Sequence, residues 1–315
     1  MQYRTLGKTG ISVSRLCFGA LTVGPCQADL SPDLGGAVIA HAIERGVNFI
    51  DTAQLYQSYE AIKTALDRTK RSDTVIASKT YAYTAELAEE AVEEARKKLD
   101  RDVIDIFLLH EQESEHTVAG HMPALERLYK YKAEGIIRAV GLSTHRISGV
   151  KASVLHSLDV VFPLLNVDGV GIGDGTADQM AAAAREAADA GLGVYIMKPF
   201  GGGNLLSKTE ECLRYALSQD YAASIAVGMQ SIDEVEADLS FFEKGCFPPE
   251  IKSRLASLPR RLIIEDHCIG CGSCERVCGQ DAMHITNGRA HCDTKRCITC
   301  GYCGAACPET CIKII

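Results

Sequence analysis

The sequence has no excess of positive charge and no long apolar run. Its 315 residues include 33 Lys and Arg against 41 Asp and Glu, which gives a formal net charge of −8. Such a balance provides no basic patch, so it argues against a nucleic-acid partner or an anionic membrane surface. No apolar segment approaches the length that a membrane-spanning helix requires, so we expect no membrane insertion.

Two further features are missing. The first ten residues, MQYRTLGKTG, lack the apolar core of a signal peptide, so the sequence predicts a cytoplasmic protein. The segment 19–24, which follows the first predicted strand, reads GALTVG and not the glycine-rich fingerprint of a dinucleotide-binding sheet. A doubly wound α/β fold would need that fingerprint for the phosphates, so its absence disfavours the fold.

Cysteine, by contrast, is abundant, with 14 residues. Eight of them form two copies of C-x2-C-x2-C-x3-C, the spacing that surrounds a [4Fe–4S] cube. In two-cluster ferredoxins the fourth Cys of each run binds the other cluster. The spacing therefore predicts two [4Fe–4S] clusters. The first would be held by Cys268, Cys271, Cys274 and Cys307. The second would be held by Cys297, Cys300, Cys303 and Cys278.

Two alternatives explain the cysteines less well. Zinc ribbons use paired C-x2-C units and not three cysteines in tandem with a fourth. Disulfides belong to oxidising compartments, and no export signal is visible. One departure from the usual motif is Gly279, where a Pro normally follows the fourth Cys. Cys292 and Cys311 lie outside the spacing, and we expect them to pack beneath the clusters.

The first 260 residues alternate eight short apolar strands with eight amphipathic helical segments, which predicts a (β/α)8 TIM barrel. Residues 2–13 precede the first strand and are expected to form a hairpin that closes the barrel floor. The prolines and arginines of 248–261 indicate a linker. We therefore predict a barrel over 1–247, a linker over 248–261 and a small two-cluster ferredoxin-like α+β domain over 262–315.

Polar residues follow three successive predicted strands at the ends where catalytic groups of such barrels gather. They are Asp51 with Tyr56, then Lys79, then His110. The segments 51–56 (DTAQLY) and 108–110 (LLH), with the strand-end Lys between them, resemble the aldo-keto reductases.

Three more segments extend this resemblance over roughly residues 2–245: 3–10 (YRTLGKTG), 141–143 (GLS) and 198–202 (KPFGG). The arrangement is similar to the branch of the family that bears a C-terminal ferredoxin domain. The resemblance implies an oxidoreductase that acts on a small carbonyl or alcohol.

The four strand-end residues would share the proton chemistry. A carbonyl that accepts hydride needs a proton on its oxygen, and a phenol is a weak acid at neutral pH. We expect the ammonium of Lys79 to lower the pKa of Tyr56, the proposed general acid. Asp51 would fix Lys79, and His110 would orient the substrate oxygen.

The expected cofactor seat departs from the family pattern. The family usually holds the nicotinamide amide with Ser-Asn and a Gln, whereas this sequence has Ser143-Thr144 and, at the Gln position, Phe162. The candidate cofactor-binding residues are Ser143, Thr144, Asn166, Lys198, Gly201 and Gly228.

The segment 228–238 has four carboxylates and no cation, so NADP(H) is disfavoured because its 2′-phosphate would be repelled. NAD(H) stays open, and a flavin is not excluded, since barrels can bind flavin phosphates in the loops near strands seven and eight.

The two halves of the chain pose an electron-counting problem, because nicotinamide delivers two electrons and each cluster passes one. The alternatives are a nicotinamide-dependent reductase, a cluster-driven reductase without nicotinamide and a non-catalytic electron-transfer subunit. We expect the ferredoxin-like domain to cover the barrel mouth. Arg260 and Arg261 would meet a ferredoxin-type electron donor or pair with the acidic barrel.

Overall fold

The chain begins with the expected hairpin at the barrel floor, in a computed structural model that describes residues 1–315. Strands β1 (Tyr3–Thr5) and β2 (Ser12–Ser14) pair antiparallel. Leu6, Ile11 and Val13 are fully buried and pack with residues of the barrel interior. Burial of these three side chains closes the end of the barrel opposite the polar strand ends.

Eight parallel strands follow and close into a barrel in sequence order, with the last strand paired to the first. This confirms the predicted fold class. The strands are β3 (Leu16–Gly19), β4 (Phe49–Asp51), β5 (Val75–Thr80), β6 (Ile104–Leu109), β7 (Ile137–Thr144), β8 (Val160–Pro163), β9 (Gly193–Met197) and β10 (Ser224–Gly228). Nearly all their residues are buried because helices cover the outside and side chains fill the inside.

The helices surround the barrel and bury one apolar face each against it. They are α1 (Pro32–Glu44), α2 (Tyr59–Thr69), α3 (Ala85–Leu99), α4 (Glu115–Gly120), α5 (Met122–Ala133), α6 (Ile147–Leu155), α7 (Ala177–Asp189), α8 (Thr209–Ser218) and α9 (Ile232–Lys244). The short α4 was not predicted, although Ser114 and Thr117 form a capping box at its start. No helix combines the length and apolar character needed to cross a bilayer.

The segment predicted as a linker contains a helix, α10 (Pro249–Ala256), which lies against α9. Proline at its start and the Arg254 ion pair with Asp233 favour this helix. The linker is therefore not extended. The rest of the chain forms β11 (Leu262–Ile264), α11 (Ser273–Arg276), β12 (Met283–Thr286), β13 (Arg289–Cys292), α12 (Tyr302–Ala305) and β14 (Ile312–Ile314).

The C-terminal module packs on the face of the barrel where the strands end. Its strands β11 and β14 pair antiparallel, and this ribbon lies against the loop after β9. Gly203 has a φ of 87°, and a Cβ there would lie 1.8 Å from the carbonyl oxygen of Ile314. A Cβ on Gly304 would lie 1.9 Å from the side chain of Asn204. Glycine at both positions permits this close approach.

Candidate active site

Asp51 and Lys79 form a buried ion pair at the ends of β4 and β5. The ammonium Nζ of Lys79 donates to Asp51 Oδ2 at 2.7 Å and to the carbonyl oxygen of Thr52 at 2.6 Å. The hydroxyl of Tyr195 donates to the other Asp51 oxygen at 2.9 Å. The Lys79 side chain is fully buried and that of Asp51 is 5% exposed, so the pair is fixed and largely dry.

Tyr56 and His110 complete the predicted group of four. The Tyr56 hydroxyl lies 3.3 Å from His110 Nε2, and the Lys79 ammonium lies 4.8 Å from the centre of the Tyr56 ring. Tyr81 stacks on the other side of the imidazole at a ring distance of 4.4 Å. The structure thus brings together all four side chains that the sequence singled out.

The pKa of Tyr56 differs from the expectation that Lys79 lowers it. Loss of hydration raises the pKa well above its ordinary value, and the carboxylates of Asp51 and Glu111 raise it further. Lys79 does not reverse this, because its charge is already paired with Asp51. Burial also holds the pKa of His110 well below its usual range, with Lys79 adding to the effect. Both groups are therefore neutral at pH 7, and the phenol keeps its proton.

A cavity of about 770 Å³ opens beside Tyr56 and Asp51. It runs past Phe162 and the loop after β9 to the start of α9, and the linker helix and β14 form its outer wall. Its volume falls within the range of sites for small molecules and cofactors. The module and the linker therefore contribute part of the cavity wall.

Three of the predicted cofactor-binding residues do not reach this cavity. Ser143, Thr144 and Asn166 are fully buried, and none of them lines it. The Ser143 hydroxyl accepts from a backbone N–H at 2.9 Å, the Thr144 hydroxyl bonds to the backbone two residues on, and the Asn166 amide bonds to both backbone groups of Val170. They bond to the backbone of the loops that follow their strands and lie outside the cavity.

Phe162 occupies the region where a glutamine was expected. Its ring stacks on Tyr195 with centroids 3.8 Å apart, and it lies 5.3 Å from the Lys79 ammonium. Neither ring atom nor neighbour supplies a hydrogen bond to an amide there. The residues present therefore do not fit the usual nicotinamide carboxamide seat.

The other three candidates lie at or next to the cavity. Lys198 and Gly228 line it, and Gly201 begins the glycine run whose Gly202 and Gly203 also line it. That run has a second use, because Gly202 and Gly203 lie against Lys313 and Ile314 of the module. Its glycines are thus required by the docked ribbon, whether or not a phosphate binds there.

A cation lies near the acidic segment 228–238 at the far end of the cavity. Glu234 and Asp238 line the cavity, and Arg260 of the linker lines the same region and attracts Glu234. The Glu234 carboxylate also accepts from the backbone N–H of Gln230 at 2.5 Å and so occupies part of the helix start itself. Because the linker supplies a positive charge, repulsion of a phosphate is weaker than the segment alone predicts.

The eight motif cysteines gather around two small cavities in the C-terminal module. One is lined by Cys268, Cys271, Cys274 and Cys307, and the other by Cys278, Cys297, Cys300 and Cys303. These are the two predicted ligand sets, including the exchange of the fourth cysteine. No group of His, Cys, Asp or Glu is close enough to hold a single metal ion. Four sulfurs around a cavity fit a cubane cluster better than a zinc ion.

Backbone donors surround several of these sulfurs. Ala290 N–H donates to Cys268 Sγ at 3.4 Å, and Ala282 N–H donates to Cys278 Sγ at 3.2 Å. The hydrogen bond from Ala290 lowers the pKa of Cys268, which favours the thiolate that binds iron. Cys311 is buried in the module core, as expected, and Cys292 is half-buried beside the second set.

Sequence reasoning missed several side chains of the site. Tyr195 contacts Asp51 from inside the barrel, and Tyr81 reaches both His110 and Glu111. Neither belongs to a recognisable spacing, because each comes close only when the barrel forms. The most distant addition is Lys313, which enters the cavity from the end of the chain.

The fold and the site define a barrel oxidoreductase with an added iron–sulfur module. The aldo/keto reductase family model matches residues 15–211, and a 4Fe-4S dicluster domain model matches residues 261–308. The chain belongs to the aldo/keto reductase family, with a C-terminal dicluster domain. These matches confirm the family and the oxidoreductase class expected from the sequence.

Relatives resemble the two parts separately. L-galactose dehydrogenase of Arabidopsis thaliana is 25% identical over 290 residues, which cover 76% of this chain and 88% of that protein. A component of an ion-translocating oxidoreductase complex from Methanosarcina acetivorans is 37% identical over 54 residues, 17% of this chain and 20% of that one. An aldo-keto reductase from Bacillus halodurans in its holo form superposes with a TM-score of 0.64 at 22% identity, covering 81% of this chain and 95% of that structure. This last likeness concerns the fold.

Proposed function

We propose that the protein interconverts a small carbonyl compound and its alcohol at Tyr56, with the two clusters as the electron relay. The observation that supports this most is the position of the β11–β14 ribbon. Ile312 lines the first cluster cavity, Leu262 lines the second, and Lys313 between them in the ribbon lines the cavity that holds Tyr56. One layer of backbone separates the clusters from that cavity.

The thickness of this layer decides whether a relay is plausible. Successive side chains of a strand point to opposite faces, so Ile312 faces the first cluster cavity and Lys313 faces the cavity of Tyr56 from the same strand. We propose that electrons cross this single strand by tunnelling. Each cluster, held by its four cysteines, would supply or accept one electron at a time.

We assign to Tyr56 the supply of the proton that goes to the substrate oxygen. Reduction of a carbonyl to an alcohol requires two electrons, one from each cluster, and two protons. One proton ends on oxygen, and the other, taken from solvent, ends on carbon. The raised pKa keeps the phenol protonated until negative charge develops on that oxygen. Neutral His110, 3.3 Å from the hydroxyl, would orient the same oxygen, and the Lys79 ammonium lies 4.8 Å from the centre of the Tyr56 ring.

The poor fit of the carboxamide seat favours a cluster-driven reaction without nicotinamide as the second candidate. Ser143, Thr144 and Asn166 are already bonded to backbone, so we derive no hydride step through that seat. NAD(H) binding, exclusion of NADP(H), binding of a flavin, a ferredoxin-type electron donor and a cytoplasmic location all stay predictions.

One titration separates the candidates. NADH and NADPH are added in turn to anaerobically purified, cluster-loaded protein, and binding is followed by calorimetry and cluster oxidation state by visible absorption. If the relay operates, electrons reach the substrate only through the clusters. We therefore expect no reduction of a substrate by NADH or NADPH without a change in cluster absorption. Rapid carbonyl reduction by NADH with fully oxidised clusters would contradict the relay. For the opposite direction, in which an alcohol gives its electrons to the oxidised clusters, L-galactose is a suitable first substrate, because one relative is named an L-galactose dehydrogenase.

A further inference from the structure

We propose that Lys198 and Lys313 form an anion-binding site at the seam between the barrel and the iron–sulfur module. The site would hold a carboxylate or phosphate group of the molecule that reacts at Tyr56. This inference rests on the proposed function and adds the chemical class of its ligand. It also gives the module a direct part in binding, since Lys313 belongs to its last strand.

Lys198 reaches the cavity from an unusual backbone conformation. It follows β9 with a φ of 56°, a region that non-glycine residues seldom occupy. Its Nζ lies 2.9 Å from His145 Nε2, and no carboxylate oxygen is within hydrogen-bond distance. Lys198 is half-buried, and an ammonium there whose nearest partner is a neutral imidazole lacks the anion that would normally compensate it.

Lys313 lies opposite, on the face of β14 that points away from the clusters. The residue is 5% exposed, and its Nζ donates to the carbonyl oxygen of Thr310. The nearest carboxylate oxygen, Oε2 of Glu265, is 3.5 Å away, which exceeds the 2.7–2.9 Å typical of a charged hydrogen bond. Gly202 packs along its side chain, and a Cβ there would lie 3.0 Å from Lys313 Cδ. The side chain is thus held in place by the barrel loop.

The two ammonium groups repel each other. Burial lowers the pKa of Lys198 to about 7, and the charge of Lys313 contributes next. Burial holds the pKa of His145 well below its usual range, and the charges of Lys198 and Lys313 lower it further. The imidazole therefore adds no charge of its own. The other charged groups that act on Lys198 are Glu111, Glu265 and Lys79. An anion placed between the two lysines would remove the repulsion.

The position of the pair indicates what kind of ligand would bind. Lys198 and Lys313 line the same cavity as Tyr56 and Asp51, so one molecule could reach all of them. A carboxylate on the substrate and a phosphate on a cofactor offer the same oxygens to the two ammonium groups. The structure therefore defines the charge of the ligand, and experiment must distinguish its source.

Calorimetry with two matched pairs of probes distinguishes the sources. Pyruvate is compared with its neutral ester methyl pyruvate, and nicotinamide mononucleotide with nicotinamide riboside, which lacks the phosphate. The full chain is used with its clusters loaded under anaerobic conditions. We expect the member of one pair that carries the carboxylate or phosphate to bind more tightly than its analogue without that anionic group. Pyruvate would identify a substrate carboxylate and the mononucleotide a cofactor phosphate.

Two variants and one control assign the binding to the lysines. Lys198→Gln and Lys313→Gln should each weaken the charged probe about tenfold to a hundredfold, as expected for the loss of one charged hydrogen bond. Lys295→Gln, an exposed lysine of the same module, should leave binding unchanged. Lys313→Arg, which keeps the charge, should restore most of the affinity. Visible absorption reports whether each variant keeps its clusters. If Lys313→Gln loses its clusters, Lys198→Gln still tests the proposal.

Proton uptake gives a second readout. A bound anion should raise the pKa of Lys198, so the protein takes up a proton on binding near pH 7 and affinity falls as the pH rises above about 7. Calorimetry in buffers of different ionisation enthalpy measures this uptake. It should vanish in Lys198→Gln.

The proposal is overturned if neither pyruvate nor the mononucleotide binds better than its analogue without the anionic group, or if both Gln variants keep the affinity of the wild type. Tyr56→Phe should bind the anion normally, because the phenol is not one of the anion's partners. If the wild type does not bind the anionic probes but its turnover still depends on Tyr56, the anion site alone is rejected. Turnover that does not depend on Tyr56 would reject the proposed function and leave the anion site standing.

Discussion

Replacing Lys79 by Met should destabilise the protein strongly because it leaves a buried carboxylate behind. In the wild type the ammonium makes two of the hydrogen bonds that hold the centre of the site, to Asp51 and to the carbonyl of Thr52. After the substitution only the hydroxyl of Tyr195 would still donate to Asp51. The loss of one partner of a buried ion pair costs about 3–5 kcal/mol.

The double variant separates the charge effect from packing. Asp51→Asn alone leaves the Lys79 ammonium buried without its partner, so it should also be costly. In Asp51→Asn/Lys79→Met neither charge remains, and much of the penalty should disappear. We expect the double variant to be more stable than the sum of the single effects by about 2–3 kcal/mol, the upper range for residues in direct contact.

Thermal unfolding under anaerobic conditions, followed by far-UV circular dichroism, measures all four proteins. At about 2–4 °C per kcal/mol, Lys79→Met should lower the midpoint by roughly 6–20 °C. Additive effects of the two substitutions would refute the reasoning, since they would mean that the two side chains do not form the buried pair. A shift of less than about 2 °C for Lys79→Met would contradict it as well.

Three further predictions concern the module and the cavity. Gly203→Ala should detach the module and increase proteolysis of the linker, because a Cβ would lie 1.8 Å from the carbonyl oxygen of Ile314. Gly245→Ala controls for backbone strain, since Gly245 also has a positive φ but no atom within 4 Å of a Cβ, and it should be cleaved like the wild type. Cys278→Ala and Cys300→Ala should each remove the same half of the iron, so that the double variant loses no more than either alone; complete loss in the double variant would contradict the exchanged ligand. Asp238→Asn should stabilise the protein increasingly as the pH rises, because burial raises the pKa of this carboxyl and ionisation opposes folding above the unfolded-state pKa; urea unfolding at pH 5 and 8 measures this, and an equal effect at both values would contradict it.

The fold could be predicted because its signals are local and repeated. Apolar strands such as Val75–Thr80 and amphipathic helices such as Thr209–Ser218 follow one another in the alternating order that the sequence predicts. The spacing of the cysteines indicated both ligand sets, since the exchange of the fourth ligand is a property of the motif itself. The linker helix was harder to predict, because it depends on contacts with α9 and on the Arg254–Asp233 pair.

The chemistry of the site could be predicted only in part. Strand-end position was enough to bring Tyr56 and Lys79 together, but not to give the direction of the Tyr56 pKa, which depends on burial and on nearby carboxylates. The predicted cofactor seat stays a prediction, and the bonds of Asn166 to its own loop could not be foreseen from the sequence. Lys313, more than 230 residues from the strand-end lysine, has no sequence signal that links it to the cavity.

Reoxidation of reduced clusters by a carbonyl compound tests the central claim most directly. Protein reduced with dithionite and freed of excess reductant is mixed anaerobically with methylglyoxal, whose conjugated carbonyls can accept single electrons, and cluster absorption is followed. The account predicts that the clusters reoxidise with formation of the alcohol, and that Tyr56→Phe slows this at least about a hundredfold. Reoxidation at the same rate in wild type and Tyr56→Phe would contradict the claim that electrons from the clusters reach the Tyr56 cavity.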